Sequence, residues 1–134
     1  MEKLVIAASA KFQEGIDKWE KYFTDRGYNV INRPRKIDQS IKEVYRNAHL
    51  NFYKSLKEAD VVFILNEDKR GIEGYIGYET FAELSFAMVQ NTVNGINKKV
   101  YLLKMPSEEV GCYPEIKNFV DLGWIKVLDQ EKDI

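Results

Sequence analysis

Residues 59–87 read ADVVFILNEDKRGIEGYIGYETFAELSFA, passing from an unbroken apolar run, through a loop punctuated by glycines, into a helical pattern. Asp60 to Asn66 is β-branched and aliphatic with no polar alternation, the pattern of a strand covered on both faces of a parallel sheet. Gly71, Gly74 and Gly77 interrupt that run, and Thr80 is expected to open the next helix. In open α/β sheets ligands bind beyond the carboxyl ends of the strands, and this crossing brings Glu83 to that edge. Two roles are open to Glu83. Thr80-Phe81-Ala82-Glu83 has the form of a capping box, whose hydroxyl and carboxylate satisfy helix-terminal N–H groups. The same carboxylate, next to a ligand, is a candidate nucleophile.

Strands and helices alternate on either side of this stretch. Leu4 to Ala8 reads as a first strand, and a helix follows from Gln13 to Arg26 with Ile16, Trp19, Tyr22 and Phe23 on one face. Gly27 suits a left-handed helix end. Tyr28 to Asn32 is a second strand closed by Pro34, and Asp38 is the expected cap of a long helix carrying an Ile41, Val44, Tyr45, Ala48, Phe52, Ser55, Leu56, Ala59 stripe. Lys99 to Leu103 and Ile125 to Leu128 supply strands four and five, with a short helix starting near Pro114. The pattern predicts a single α/β domain over residues 1–134. Its expected form is a flavodoxin-like or Rossmann-like three-layer sandwich around a five-stranded parallel sheet of order 2-1-3-4-5.

Composition excludes several function classes. Basic and acidic residues number 20 and 21, a net charge of −1, so no overall field favours nucleic acid or an anionic membrane. Cys112 stands alone, which rules out an internal disulfide framework and fits the reducing cytoplasm, the expected location. A single histidine, His49, and a single cysteine argue against a zinc site, and no metal is expected. The glycine loop matches neither the dinucleotide fingerprint nor a Walker loop, so no cofactor is expected. The apolar run within Met1 to Ala10 is too short for a signal peptide, and no stretch approaches the roughly 20 residues of a membrane span.

The residues of the strand-loop-helix block resemble the signature of the nucleoside 2-deoxyribosyltransferase-like superfamily. The resemblance is carried by Asp60 and its strand, Asn66, Gly74-Tyr75-Ile76-Gly77, Thr80, Glu83 and Ala87. Ala7 to Phe12 is similar to the family's first strand and sugar-side loop. The resemblance implies cleavage of a nucleosidic C–N bond, with Glu83 attacking C1′ and the glycosyl group passing to water or to a base. It also implies a nucleoside or nucleotide partner and a homo-oligomer, with a dimer favoured. The transferases carry an aspartate six residues before the glutamate, where this chain has Gly77, and commonly a tyrosine in the first strand, where Val5 and Ile6 stand. Base exchange is therefore less well supported than hydrolysis.

Beside Glu83, the expected substrate-binding residues are Ser9, Phe12, Asn66, Tyr75, Gly77 and Thr80. Arg33 and Arg35, with Lys36, are candidates for holding a 5′-phosphate. The helix start is expected to keep the Glu83 pKa low, as suits a nucleophile. His49 is expected at the surface or, with Tyr45 and Tyr53, at a dimer contact. The alternative to an enzyme is a binding module on the same fold, in which Glu83 holds ribose hydroxyls without turnover.

Overall fold

A computed structural model describes residues 1–128 of the chain. Five parallel strands, β1 (Lys3–Ala7), β2 (Asn29–Asn32), β3 (Val61–Ile64), β4 (Lys99–Leu102) and β5 (Lys126–Val127), lie in the order β2-β1-β3-β4-β5. Four helices connect them: α1 (Gln13–Asp25), α2 (Lys42–Glu58), α3 (Tyr78–Thr92) and α4 (Tyr113–Asp121). This is the flavodoxin-like three-layer arrangement expected from the sequence.

The layers are unequal. Side chains alternate across each strand, so Leu4, Ile6, Val61, Phe63 and Leu65 face α1 and meet Ile16, Trp19 and Phe23. Phe63 sits between Trp19 and Phe23, with ring centroids 4.9 and 5.0 Å away. Val5, Ala7, Val62, Ile64, Val100 and Leu102 face the other way and pack with Phe52 and Leu56 of α2, Leu84, Ala87 and Met88 of α3, and Ile116 of α4. The unbroken apolar runs Leu4–Ala7 of β1 and Val61–Ile64 of β3 thus follow from burial on both faces. Gly27 ends α1 at φ +88°, the left-handed conformation expected of it.

The start of α2 differs from the sequence expectation. Asp38 does not cap α2; the residue before the helix is Ile41, and Asp38 instead accepts hydrogen bonds from the Ser40 N–H (3.0 Å) and hydroxyl (2.6 Å) in the preceding turn. The apolar stripe of α2 is also only half used, since Phe52 and Leu56 are buried while Ile41, Val44 and Tyr45 are exposed. The reason is length. A helix of 17 residues runs about 25 Å, whereas strands of four or five residues span about 13–17 Å, so its first turns overhang the carboxyl edge of the sheet.

The segment between β3 and α3 is pinned by Asn66. Its amide nitrogen donates to the carbonyls of Gly74 (3.3 Å) and Lys104 (2.7 Å), and its carbonyl oxygen accepts from the backbone N–H groups of Leu103 (3.0 Å) and Lys104 (3.3 Å). Gly74 lies at φ +63°, and a Cβ on it would come within 2.8 Å of Pro106 Cα, so this approach of loop to loop requires glycine. Replacing Asn66 with alanine strands several buried backbone groups, each worth about 1–3 kcal/mol. Asn66→Ala is therefore expected to lower unfolding free energy in urea by roughly 3 kcal/mol or more, and a loss below about 1 kcal/mol would contradict the clamp.

Candidate active site

Beyond the carboxyl ends of β1 and β2, under the overhang of α2, lies a cavity of about 750 Å³, within the usual range of small-molecule sites. Its walls come from the β1 loop (Ala8 to Lys11), the β2 loop (Asn32 to Ile37), α2 (Ala48, His49, Asn51, Phe52) and the segment from Tyr75 through the first turns of α3. The two loops are sewn together by Gln13, whose Nε2 donates to Ala10 O (2.8 Å) and Pro34 O (3.2 Å). Asn32 Nδ2 donates to Ser55 Oγ at 3.0 Å and so holds the β2 loop against α2.

Glu83 stands in the cavity wall, only 5% exposed. Among the described residues, no group hydrogen-bonds or ion-pairs with its carboxylate. The expected capping box is not formed: Gly77 precedes α3, no side chain caps it, and Thr80 is the third residue of the helix, not its first. Glu83 consequently lies in the second turn, past the reach of the helix dipole. Its pKa runs opposite to expectation: burial, and then the neighbouring Glu79 charge, raise it from 4.5 to about 8. A buried carboxyl group without a partner on a cavity wall is uncommon in a purely structural role.

His49, expected at the surface or at a dimer contact, is largely covered within the chain itself. Its side chain, 15% exposed, reaches from α2 to α3, where Nε2 lies 2.7 Å from Glu79 Oε1. Potential ligand atoms of His49, Glu79 and Glu83 all lie within 4.8 Å of one another. Among the described residues these three lie close enough together to meet one divalent cation, but the imidazole nitrogen is already taken by Glu79. The Tyr45 ring packs on His49 at 4.0 Å between centroids, and Tyr53, whose hydroxyl pKa is raised by burial and then by Glu83, packs on Phe86. Of the three residues expected at a dimer contact, only Tyr45 is exposed. The signal for His49 was in the sequence: it stands three and seven residues before Phe52 and Leu56, on the face of α2 that they bury.

Ser9, Tyr75, Gly77 and Thr80 line the cavity; Asn66 and Phe12 do not. Asn66 is consumed by the backbone clamp, and Phe12 packs against the α1-side core. Tyr75 is braced by Lys69, whose ammonium lies 4.4 Å from the ring centroid. The cavity also receives Lys11, Arg33, Arg35 and Lys36. Arg33 is committed elsewhere, to Asp17 and Glu20 of α1, each at 2.6 Å, and burial would have opposed its charge had these partners not more than restored it. Arg35 Nη1 donates to Asn32 Oδ1 (3.2 Å) and Arg33 O (3.1 Å). Lys11 and Lys36 have no ion-pair partner among the described residues.

The fold and the cavity together define a flavodoxin-like α/β domain with an acidic group buried in a ligand-sized site at the carboxyl edge of its sheet. Among solved structures, the CMP N-glycosidase BcmB of Clostridium botulinum matches it with a TM-score of 0.57 and 19% identity, over 98% of this chain and 92% of that one. At that identity the likeness is one of fold. No protein-family model and no curated protein sequence matches the chain. No helix among the described residues is long and apolar enough to cross a membrane.

The raised pKa has a consequence for stability. The unfolded chain releases the Glu83 proton near 4.5, while the folded chain keeps it to about 8. The Glu83 contribution to stability is therefore full below pH 4.5 and falls as pH rises through this window. Relative to Glu83→Gln, the wild type is expected to lose on the order of a few kcal/mol between pH 4.5 and 8, measured by urea unfolding at intervals of pH. Parallel curves for the two proteins would contradict the burial of an ionisable, unpartnered carboxyl group.

Proposed function

We propose that this protein hydrolyses the N-glycosidic bond of a nucleoside 5′-monophosphate, with Glu83 as the nucleophile. The observation that carries the reading is the buried Glu83 carboxyl group, bare of hydrogen-bond partners, in the wall of a cavity of about 750 Å³. Likeness to the fold of a CMP N-glycosidase supports the class of bond. Breaking a C1′–N bond develops oxocarbenium character at C1′, and an ionised carboxylate beneath that carbon both stabilises the charge and traps it as a glycosyl-enzyme. Water then attacks C1′ and releases the sugar phosphate and free Glu83. Holding the carboxylate in a site without compensating donors raises its basicity and leaves its lone pairs free for the electrophile.

Lys11 and Lys36 support the 5′-phosphate. They are cavity-lining cations without acidic partners among the described residues, whereas Arg33 is neutralised by Asp17 and Glu20. Ser9 and Thr80 offer hydroxyls for the sugar, and Tyr75 an aromatic face for the base.

Purified protein incubated with nucleosides and their 5′-monophosphates, with free-base release as the readout, tests this. Monophosphates are expected to be the better substrates, and Lys11→Ala with Lys36→Ala to raise KM for them while leaving nucleosides unchanged. Glu83→Gln is expected to lower turnover about 10³-fold or more, from loss of both charge stabilisation and covalent trapping. For the wild type acting on a nucleotide whose base departs without protonation, kcat/KM should rise with pH to a plateau above about 8, where the free carboxyl group ionises. Turnover by Glu83→Gln equal to the wild type would falsify the assignment, and binding of a nucleotide without base release would favour a binding module.

A further inference from the structure

We infer that His49 and Glu79 form a proton-donating pair that serves the departing base, His49 carried by the overhang of α2 and Glu79 by the first turn of α3. The inference rests on the N-glycosidase reading. Departure of a base from C1′ has two requirements, a nucleophile on the sugar side and a proton for the nitrogen heterocycle, because a neutral base leaves poorly as an anion. Glu83 answers the first. For the second, the donor must lie in the same cavity, close to Glu83 but on a separate side chain.

His49 and Glu79 meet this geometry. Both line the cavity, their Nε2 and Oε1 atoms are 2.7 Å apart, and the cluster they form with Glu83 spans no more than 4.8 Å between potential ligand atoms. The charged and titratable groups facing the pair are Glu83 on α3 and Tyr45 and Tyr53 on α2. Glu79 is half exposed and sits in the first turn of α3, where negative charge is favoured. It therefore remains available to orient the imidazole. His49 is held from the other side by the Tyr45 ring, 4.0 Å away.

The step balances as follows. The C1′–N bond breaks with its electron pair going to the base, and the proton held by the His49–Glu79 pair is transferred to a ring nitrogen or carbonyl oxygen of the base. A bond forms between C1′ and a Glu83 carboxylate oxygen. When water attacks C1′ in the second half, the pair takes the proton that water loses, Glu83 departs as carboxylate, and the starting protonation is restored. His49 is the donor that touches the base; Glu79 positions it.

Substrates differing in their need for a proton separate this role from a structural one. CMP releases a neutral base only if protonated, whereas nicotinamide mononucleotide and 7-methylguanosine 5′-monophosphate carry a cationic base that departs neutral without one. His49→Gln and Glu79→Gln are expected to slow base release from CMP about 10²-fold or more and from the cationic nucleotides by no more than a few-fold. Glu83→Gln should abolish both. Thermal unfolding checks that each variant is folded, and the exposed Glu79 keeps the test standing should His49→Gln fail to fold. Equal losses on both kinds of substrate, or no loss on CMP, in a folded variant would overturn the inference while leaving Glu83 in place. A wild type that cleaves none of these nucleotides would overturn the N-glycosidase reading and this inference with it.

Discussion

The amide of Asn66 holds the carboxyl edge of the sheet together. In one side chain it joins the end of β3, the glycine loop and the start of the segment after β4, using both its donors and its acceptor on buried backbone groups. That fixes Gly74 against Pro106, and Gly74 in turn sets where Tyr75 to Gly77 run and where α3 begins. Glu83 inherits its position from this chain of constraints. Were the loop free to shift by one residue, α3 would turn by about 100° and carry Glu83 off the cavity wall.

The cavity is electrically divided. Carboxyl groups and an imidazole occupy the floor where α2 and α3 meet, while lysines stand on the loops after β1, after β2 and after β3. A ligand with a cationic transition state at one end and a phosphate at the other complements that division. Arg33 illustrates how the separation is maintained. Its charge is drawn outward to Asp17 and Glu20 on α1, which braces the β2 loop and keeps a strong cation away from the glutamates.

The architecture was legible because burial writes itself directly into sequence. Uninterrupted apolar β1 and β3, the Ile16, Trp19, Phe23 face of α1 and the glycine at the end of that helix each have one physical reading. Helix starts were less legible. Thr80 and Asp38 both have favoured capping chemistry, yet tertiary packing begins α3 two residues earlier and leaves Asp38 in a turn with Ser40. That displacement decided the electrostatics of Glu83, converting an anticipated dipole-stabilised carboxylate into a desolvated one. Glu83, Ser9, Tyr75, Gly77 and Thr80, which the sequence singles out, line the cavity, whereas Asn66 has the chemistry of a ligand contact and spends it on backbone. The meeting of His49 with Glu79 is a contact between helices 30 residues apart in sequence, which no local pattern encodes.

Among the described residues, the cavity walls draw on those from Ala8 to Glu83 and none beyond. β4, α4 and β5 complete the sheet and cover part of one face without touching the ligand space. Among the described residues, those after Glu83 act on the cavity through packing and through their hold on the glycine loop by the Lys104 backbone and Pro106. The cavity is thus built by the segment from the first strand to the second turn of α3, and the rest of the described chain acts on it only at one remove.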